Sequence, residues 1–399
     1  MKNPNKHTKT ATTRSARKLE FGPDSYRDGI WNLKLGFWIL IFGICGTCAQ
    51  AQVTGGQYAF EYLRMSNSPH VSALGGISIA DPDNDISLAL QNPSMMRPGL
   101  HNELEVNYND YYAGIKVMNL QYGYYAPKIT TAFFVGIQYI NYGTFTETDY
   151  IGNTYGDFHA YDYALTAGAS RTYLEHWRYG ADLKLAKSSL YTVNATALLA
   201  DVGINYFDTA SLIDIGATAK NMGVMLKKYT PGNPAEPMPF DLQLGISKKF
   251  KHLPLRLFAT IHHLYQWDIR YDNPADLTGT NALGITDTVS DKGSHFGDKL
   301  FRHFIFGGEL TFAKRVTLTV SYNDLDRREL ALSTQPGLAG FAFGVGINLT
   351  KFQVHYGRSY FHITGPYNEI GITMCLNKLF GLNQTGEKIN WNADYPDWE

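Results

Sequence analysis

Residues 178–187 read Arg-Tyr-Gly-Ala-Asp-Leu-Lys-Leu-Ala-Lys. Tyr179, Ala181, Leu183 and Leu185 are apolar, and Arg178, Gly180, Asp182 and Lys184 lie between them. Successive side chains of a β-strand point to opposite faces, so this spelling makes a strand with one apolar and one polar face. The pattern returns nearby. Tyr161, Tyr163, Leu165, Ala167 and Ala169 alternate with Asp162, Thr166, Gly168 and Ser170. Leu198, Ala200, Val202, Ile204 and Tyr206 alternate with Asp201, Gly203 and Asn205, and Ile213, Ile215, Ala217 and Ala219 with Asp214, Gly216, Thr218 and Lys220. A soluble sandwich alternates too. Here the polar set is rich in glycine and small polar groups, which suits a crowded barrel interior better than a solvated face.

Outward from this stretch, strands are predicted at 103–110, 113–126, 130–143, 158–172, 176–189, 193–207, 211–222, 238–250, 253–266, 300–313, 315–323, 338–349, 351–359 and 368–377. Many exceed the roughly 5–6 residues of soluble strands and meet the roughly 9–11 of a tilted membrane strand. The connections after strands 2, 4, 6, 8, 10 and 12 are tight, whereas 144–157, 223–237, 267–299, 324–337 and 360–367 are longer. The connections after strands 1 and 5 are short. Short turns on one side and long loops on the other are expected of bacterial barrels, with the long loops outside the cell. The fold class is therefore all-β: a transmembrane antiparallel β-barrel of about fourteen strands over 101–378 in a cell outer membrane. An even strand count places both termini in the periplasm. The 27 Tyr, 22 Phe, 6 Trp and 38 Gly agree, because aromatic side chains form belts at both membrane interfaces.

Residues 1–51 read as a signal peptide. A basic region precedes the apolar run Leu35 to Cys48, and Ala49 and Ala51 are the small residues a signal peptidase inspects. The run is too short for a spanning helix of about 20 residues. Removing 1–51 takes eight of 35 basic and three of 36 acidic residues, leaving 27 and 33 and a charge of −6. That balance argues against a nucleic-acid partner. Of three cysteines only Cys375 remains, which excludes an intrachain disulfide. Residues 52–100 do not alternate. A polar stretch, Asp81 to Asp85, precedes the apolar run Ile86–Leu90, and Asn92-Pro93 stops any helix. This compact segment reads as a plug or a periplasmic cap, and 379–399 as a periplasmic tail.

In this segment Phe60-x-x-Leu63, Leu74-Gly75-Gly76 after Ala73, and Asn92-Pro93 resemble the opening of FadL-like outer-membrane proteins of Bacteroidetes. Within these the chain is similar to the PorQ family of the type IX secretion system, to which PorV is related. The likeness in layout covers the mature chain, and the opening motif is its specific part. Asn67 to Ala73 departs from the usual Pro-x-Ser-Ala-Arg. The resemblance implies a non-enzymatic barrel holding an attachment complex with PorU-like, PorV-like and PorZ-like partners. That complex trims C-terminal secretion signals from cargo and anchors the cargo to lipopolysaccharide in the outer-membrane lipid.

The residues themselves offer little chemistry. Ser15-x-x-Lys18 lies in the leader, and nucleophile-elbow, His-Glu-x-x-His and phosphate-loop patterns are missing. His262 and His263 are consecutive on a predicted strand, so their imidazoles are expected on opposite faces, and His295, His303 and His355 are scattered. Asp268, Asp272, Asp276, Asp287 and Asp291 lack the spacing of a dedicated Ca²⁺ loop. No catalytic residue, cofactor or metal site is expected. Arg178, Asp182, Lys184, Asp201, Asp214 and Lys220 are expected to face the lumen and pair there. Loops 223–237 and 267–299 are the expected docking surface. The alternative function is FadL-like transport of hydrophobic small molecules. It requires an apolar lumen pocket next to the plug and a lateral gap where a strand is kinked inward, and the sequence displays many lumen glycines but no distinct apolar inner face.

Overall fold

A computed structural model describes residues 58–269, 278–280, 286–288, 296–313, 315–330, 337–349, 351–362 and 365–380. The leader with Ala49 and Ala51, residues 52–57 and the tail from 381 lie outside the described residues. The strands are β1 (Glu103–Asp110), β2 (Lys116–Ala126), β3 (Thr131–Thr148), β4 (Thr154–Tyr173), β5 (Trp177–Leu190), β6 (Val193–Asp208), β7 (Ile213–Lys227), β8 (Asp241–Lys249), β9 (Leu255–Ile261), β10 (Thr278–Thr280), β11 (Thr286–Thr288), β12 (Phe304–Phe312), β13 (Val316–Asn323), β14 (Phe341–Asn348), β15 (Phe352–His362) and β16 (Gly365–Cys375). Strands β10 and β11 pair with each other in the long β9–β12 connection. The other fourteen form one closed antiparallel barrel in chain order, sealed where β1 meets β16 from Glu103↔Cys375 to Asp110↔Asn368. Among the described residues no helix is long and apolar enough to cross a membrane, so the strands do the crossing.

The alternation in 178–187 has the anticipated physical meaning. Tyr179, Leu183 and Leu185 face outward and exposed, while Gly180, Asp182 and Lys184 are buried inside. The outward set continues around the wall through Val135, Val202, Ile246, Leu257, Val320, Val345 and Ile372, all exposed. Exposed aliphatic side chains on every sector of a closed barrel are stable only against lipid, so this belt makes the chain an outer-membrane barrel. Aromatic pairs flank it, with Trp177 and Tyr206 at the short-turn end (centroids 4.9 Å apart) and Tyr139 and Tyr161 toward the long-loop end (6.4 Å).

Several expected boundaries shift, β7 running on to Lys227 instead of 222, and two other shifts change the outline of the barrel. The stretch 144–157 is largely strand, because Thr144, Phe145, Thr146, Thr154, Tyr155 and Phe158 are β-formers and Asp149 closes the tip by accepting from Ile151 N and Asn153 N at 2.9 and 2.8 Å. Strands β3 and β4 thus reach 18 and 20 residues, against seven for β9 and eight for β13 and β14 across the barrel. Conversely, β9 stops at Ile261 instead of 266, and His263 turns the chain with φ of 55°.

Residues 58–100 fill the lumen as a chain of single helical turns. Pro69–Ala73 packs on β13 to β16, and Pro93–Met95 on β4, β5 and β6. Wall glycines make these approaches possible. A Cβ at Gly180 would stand 2.5 Å from the backbone of Pro93, one at Gly203 1.9 Å from Asn92 Oδ1, and one at Gly216 2.0 Å from the Ile79 carbonyl. The described chain begins at the long-loop end, where Ala59 N donates to Pro237 O, and the plug then runs to the short-turn end before β1. An even strand count therefore does not by itself bring the first described residues to the end that holds Leu376–Phe380.

The glycine seat yields a direct prediction. Gly180→Val should loosen the plug by about 1–3 kcal/mol, as overpacking of a rigid interior does. The same change at Gly297, where a Cβ meets open space, should be neutral. Thermal midpoints in detergent, with proteolysis of residues 58–100, measure both.

Candidate functional site

The lumen plug and the wall it touches are the candidate site, and the residues of the opening motif build the plug. Ser68 caps the turn Pro69–Ala73 by accepting from Val71 N at 3.2 Å, with proline at the first helical position where no N–H is needed. After Leu74 the chain leaves the turn through Gly75 and Gly76 at φ of 93° and 89°, with Gly76 N donating to Val71 O. This is a left-handed helix end that favours glycine. Asn92 accepts from Ser94 N at 3.1 Å and donates to Ile79 O at 3.0 Å, so Asn92-Pro93 both caps a turn and ties two plug segments together. Phe60, Leu63 and Leu74 are buried.

The polar stretch Asp81 to Asp85 joins plug to wall. Arg256 of β9 and Glu309 of β12 are register partners, and both face inward. The Arg256 guanidinium lies 2.6 Å from Asp81 Oδ1, 2.8 Å from Glu309 and 3.4 Å from Asp83. His70 donates to Asp85 at 2.7 Å and stands 3.5 Å from Glu309. Arg97, itself buried, donates to the carbonyls of Pro82 and Asp83 and holds the stretch from behind. Burial pushes the His70 imidazole down, but hydrogen bonds to Asp85 and Glu309 outweigh it and hold it well above its ordinary value. Burial raises Asp85, but the bond to His70 prevails and holds that carboxyl below its ordinary range. Asp83 is pushed up to about 7, first by burial and then by Glu309. One ligand atom each of His70, Asp81 and Asp83 lies within 4.8 Å of the others. The positive charge these carboxylates need already comes from Arg256.

The lumen charges named from sequence are inward, and some of them meet. Lys184 pairs with Asp201 at 2.5 Å, Lys220 donates to Gln91 of the plug at 3.2 Å, and Asp214 accepts from Asn205. Arg178 is only partly buried and Asp182 lacks a hydrogen-bond partner among the described residues. Sequence reasoning missed His70, Arg97, Arg256 and Glu309. The signal was present for the wall pair: Leu255 and Leu257 flank Arg256, which gives it lumen parity.

Two further expectations need correction. The imidazoles of His262 and His263 do not diverge. They meet, Nδ1 to Nδ1 at 2.6 Å, because β9 has already ended and His263 is left-handed. His303 lies near them with its Nδ1 2.8 Å from the His262 carbonyl oxygen, and His355 stacks near His70 at 5.2 Å between centroids, so these two are not scattered. His295 and the aspartates from 272 to 291 lie outside the residues whose side chains are described. The inner face also has a distinct apolar patch. At the long-loop end Val117, Ile140, Ala164, Ala186, Ala197 and Leu199 of β2 to β6 point inward and are buried under Phe60, Tyr62 and Leu63 of the plug. Met65, Met225, Tyr229 and Met238 rim it. Beside this patch β7 carries a bulge at Lys220-Asn221, with Asn221 at φ of 58°. Pairing with β8 ends at Lys220↔Asp241, and Asn221–Lys227 continue with β6 alone as their strand partner among the described residues.

The ion network sets two expectations. Arg256→Met leaves buried carboxylates unpaired and should cost about 3–5 kcal/mol, with much of this recovered in the triple variant that adds Asp81→Asn and Glu309→Gln. The His70–Asp85 pair contributes in full between the ordinary carboxylate and imidazole values, about pH 4 to 6.5. The His70 part fades as pH rises through its raised value, and the Asp85 part as pH falls through its depressed one. Thermal midpoints in detergent should fall on the alkaline side of that window, and His70→Gln should flatten that arm.

No protein-family model and no curated protein matches this sequence. Solved structures similar to the chain include a "TodX deltaS2S3 mutant monoaromatic hydrocarbon channel" at 13% identity and TM-score 0.44, covering 77% of this chain and 97% of that one. The "CymD monoaromatic hydrocarbon channel" is similar at 13% and 0.44, covering 79% and 97%. A FadL homologue of Pseudomonas aeruginosa is similar at 10% and 0.38, covering 73% and 94%.

Proposed function

We propose that this chain is a non-enzymatic outer-membrane transporter of small hydrophobic molecules. The apolar patch under Phe60, Tyr62 and Leu63 carries the reading. Apolar side chains also face inward elsewhere, as Ala132 and Phe134 do against Ile86, Ala89 and Met96 of the plug, but the row under Phe60, Tyr62 and Leu63 draws on five adjacent strands at the long-loop end, as a surface for an apolar ligand does. Val117↔Ile140 and Ala164↔Ala186↔Ala197↔Met225 are register partners, and between the two runs the partner of Ile140 is Asp162, whose carboxylate accepts from Tyr142 at 2.6 Å. The methionines at its rim are flexible and polarisable, which suits ligands of varied shape. The β7 segment without a β8 partner adjoins the patch, and its outward Val224 and Leu226 are 63% and 61% exposed. This weakened seam supports an exit from patch to bilayer, the second requirement of transport.

A surface-attachment role with PorU-like, PorV-like and PorZ-like partners and lipopolysaccharide is the second reading. The β3–β4 hairpin favours it. Past Asn141↔Lys116 and Tyr161↔Ser189 this hairpin leaves its neighbours and presents exposed Phe145, Tyr150, Ile151 and Tyr155. The loop 223–237 is a weaker docking candidate, because β7 takes its first residues and Tyr229 and Pro237 contact the plug. Deleting the gene and measuring cargo retained at the cell surface tests this role.

The transport reading is checked with the full chain in nanodiscs, titrated with toluene and with oleate. Saturable binding should appear, and Leu199→Asn and Phe60→Ala should each weaken it about tenfold, or 1.4 kcal/mol. Binding that neither substitution alters would overturn it.

A further inference from the structure

At the long-loop end, adjoining the apolar patch at Met65 and Tyr111, lies a cavity of about 230 Å³ between residues 61–77 of the plug and wall residues of β1, β13 and β16. Its chemistry is different. Four of its lining residues carry a buried polar atom without a hydrogen-bond partner among the described residues: Arg64 Nε, Asn109 Oδ1, His262 Nε2 and Glu369 Oε2. Glu369, Asn109 and His262 are 3%, 4% and 1% exposed, so bulk water does not satisfy these atoms. An orphaned buried polar atom costs roughly 1–3 kcal/mol, and several around one cavity call for an occupant that supplies their partners.

The charges say which occupant. Asp326 and Glu369 both line the space, while the guanidinium of Arg64 is engaged by Glu61 at 3.2 Å. His262 is held neutral, its imidazole pushed down to about 3 by burial and by His263. Burial and Glu329 push the Asp326 carboxyl up to about 7, so the balance is negative above that value, and a cation seated beside the carboxyls favours their charged form. Tyr111 and Tyr367, with centroids 5.2 Å apart, add ring faces that attract a cation and the C–H edges of a compact ring. Arg64 Nε is the exception, a donor in search of an acceptor, which an ammonium by itself would leave unmet. We propose that this cavity binds a small hydroxylated amine of the amino-sugar class, its ammonium directed to Glu369 and Asp326 and a hydroxyl oxygen to Arg64. At ~30 Å³ per water the space equals about eight waters, enough for one such ring. The site goes beyond the apolar transport reading; it shares Met65 and Tyr111 with the edge of the apolar patch, while its charged groups are its own.

The test uses the full chain in nanodiscs and calorimetry with glucosamine, glucose and cyclohexylamine. Glucosamine keeps both features, glucose replaces the ammonium by a hydroxyl, and cyclohexylamine keeps only the charge and ring. Saturable glucosamine binding, with each control at least about tenfold weaker, is expected, since charge-assisted bonds are the stronger kind. Glu369→Gln should weaken glucosamine about tenfold while leaving toluene binding unchanged. No glucosamine binding at about 10 mM, or equal binding of glucose, overturns the proposal. The unmodified protein supplies that comparison even if the variant fails to fold.

Discussion

Arg256 is the point on which the closed lumen depends. Its guanidinium sits between Asp81 of the plug and Glu309 of the wall, with Asp83 within reach and His70 bridging to Asp85. Burying such charges is expensive, and the desolvation of each is offset only by close pairing. A network of this kind adds little net stability over an apolar filling. It does specify one position. A shift of the plug along the barrel axis would strand several charges at once, so the plug has one register against β9 and β12.

Packing enforces the same register by a different force. The wall glycines beneath Asn92, Pro93 and Ile79 leave room for plug backbone at van der Waals distance, and any side chain there would collide. Electrostatics thus holds the plug on the β9–β12 side and shape complementarity on the β5–β7 side. Lys220 connects the two, reaching Gln91 of the plug from the bulge in β7.

The long-loop end is built to other rules. There, on the β2–β6 side, the plug meets the wall through Phe60, Tyr62 and Leu63 over a row of aliphatic side chains. Apolar contact is non-directional, so on the β2–β6 side this end can yield to a ligand of similar polarity without stranding a charge. A plug anchored by ions low in the barrel and covered by grease at the mouth permits local opening at one end while the other stays docked. This division accords with the transport reading, and it places the unpaired part of β7 beside the end that can open.

The barrel was legible in the sequence because period-two alternation is a local property. Residues 178–187 declare two faces whatever they touch, and the parity of loop lengths orders the strands before any contact is known. The caps of the plug were legible for the same reason, since Ser68-Pro69 and Asn92-Pro93 act within a few residues. What the tertiary structure decided was every pairing across distance. Arg256 and Glu309 acquire meaning only when β9 lies against β12 and Asp81 arrives between them. The aliphatic row takes one or two residues from each strand, too few to break the alternation of any. His262 and His263 meet because a strand ends early, a choice made by neighbouring strands and not by the histidines. Local periodicity sets which way a side chain points, but which groups share a place depends on strand register and on the path of the plug, and both are properties of the closed barrel.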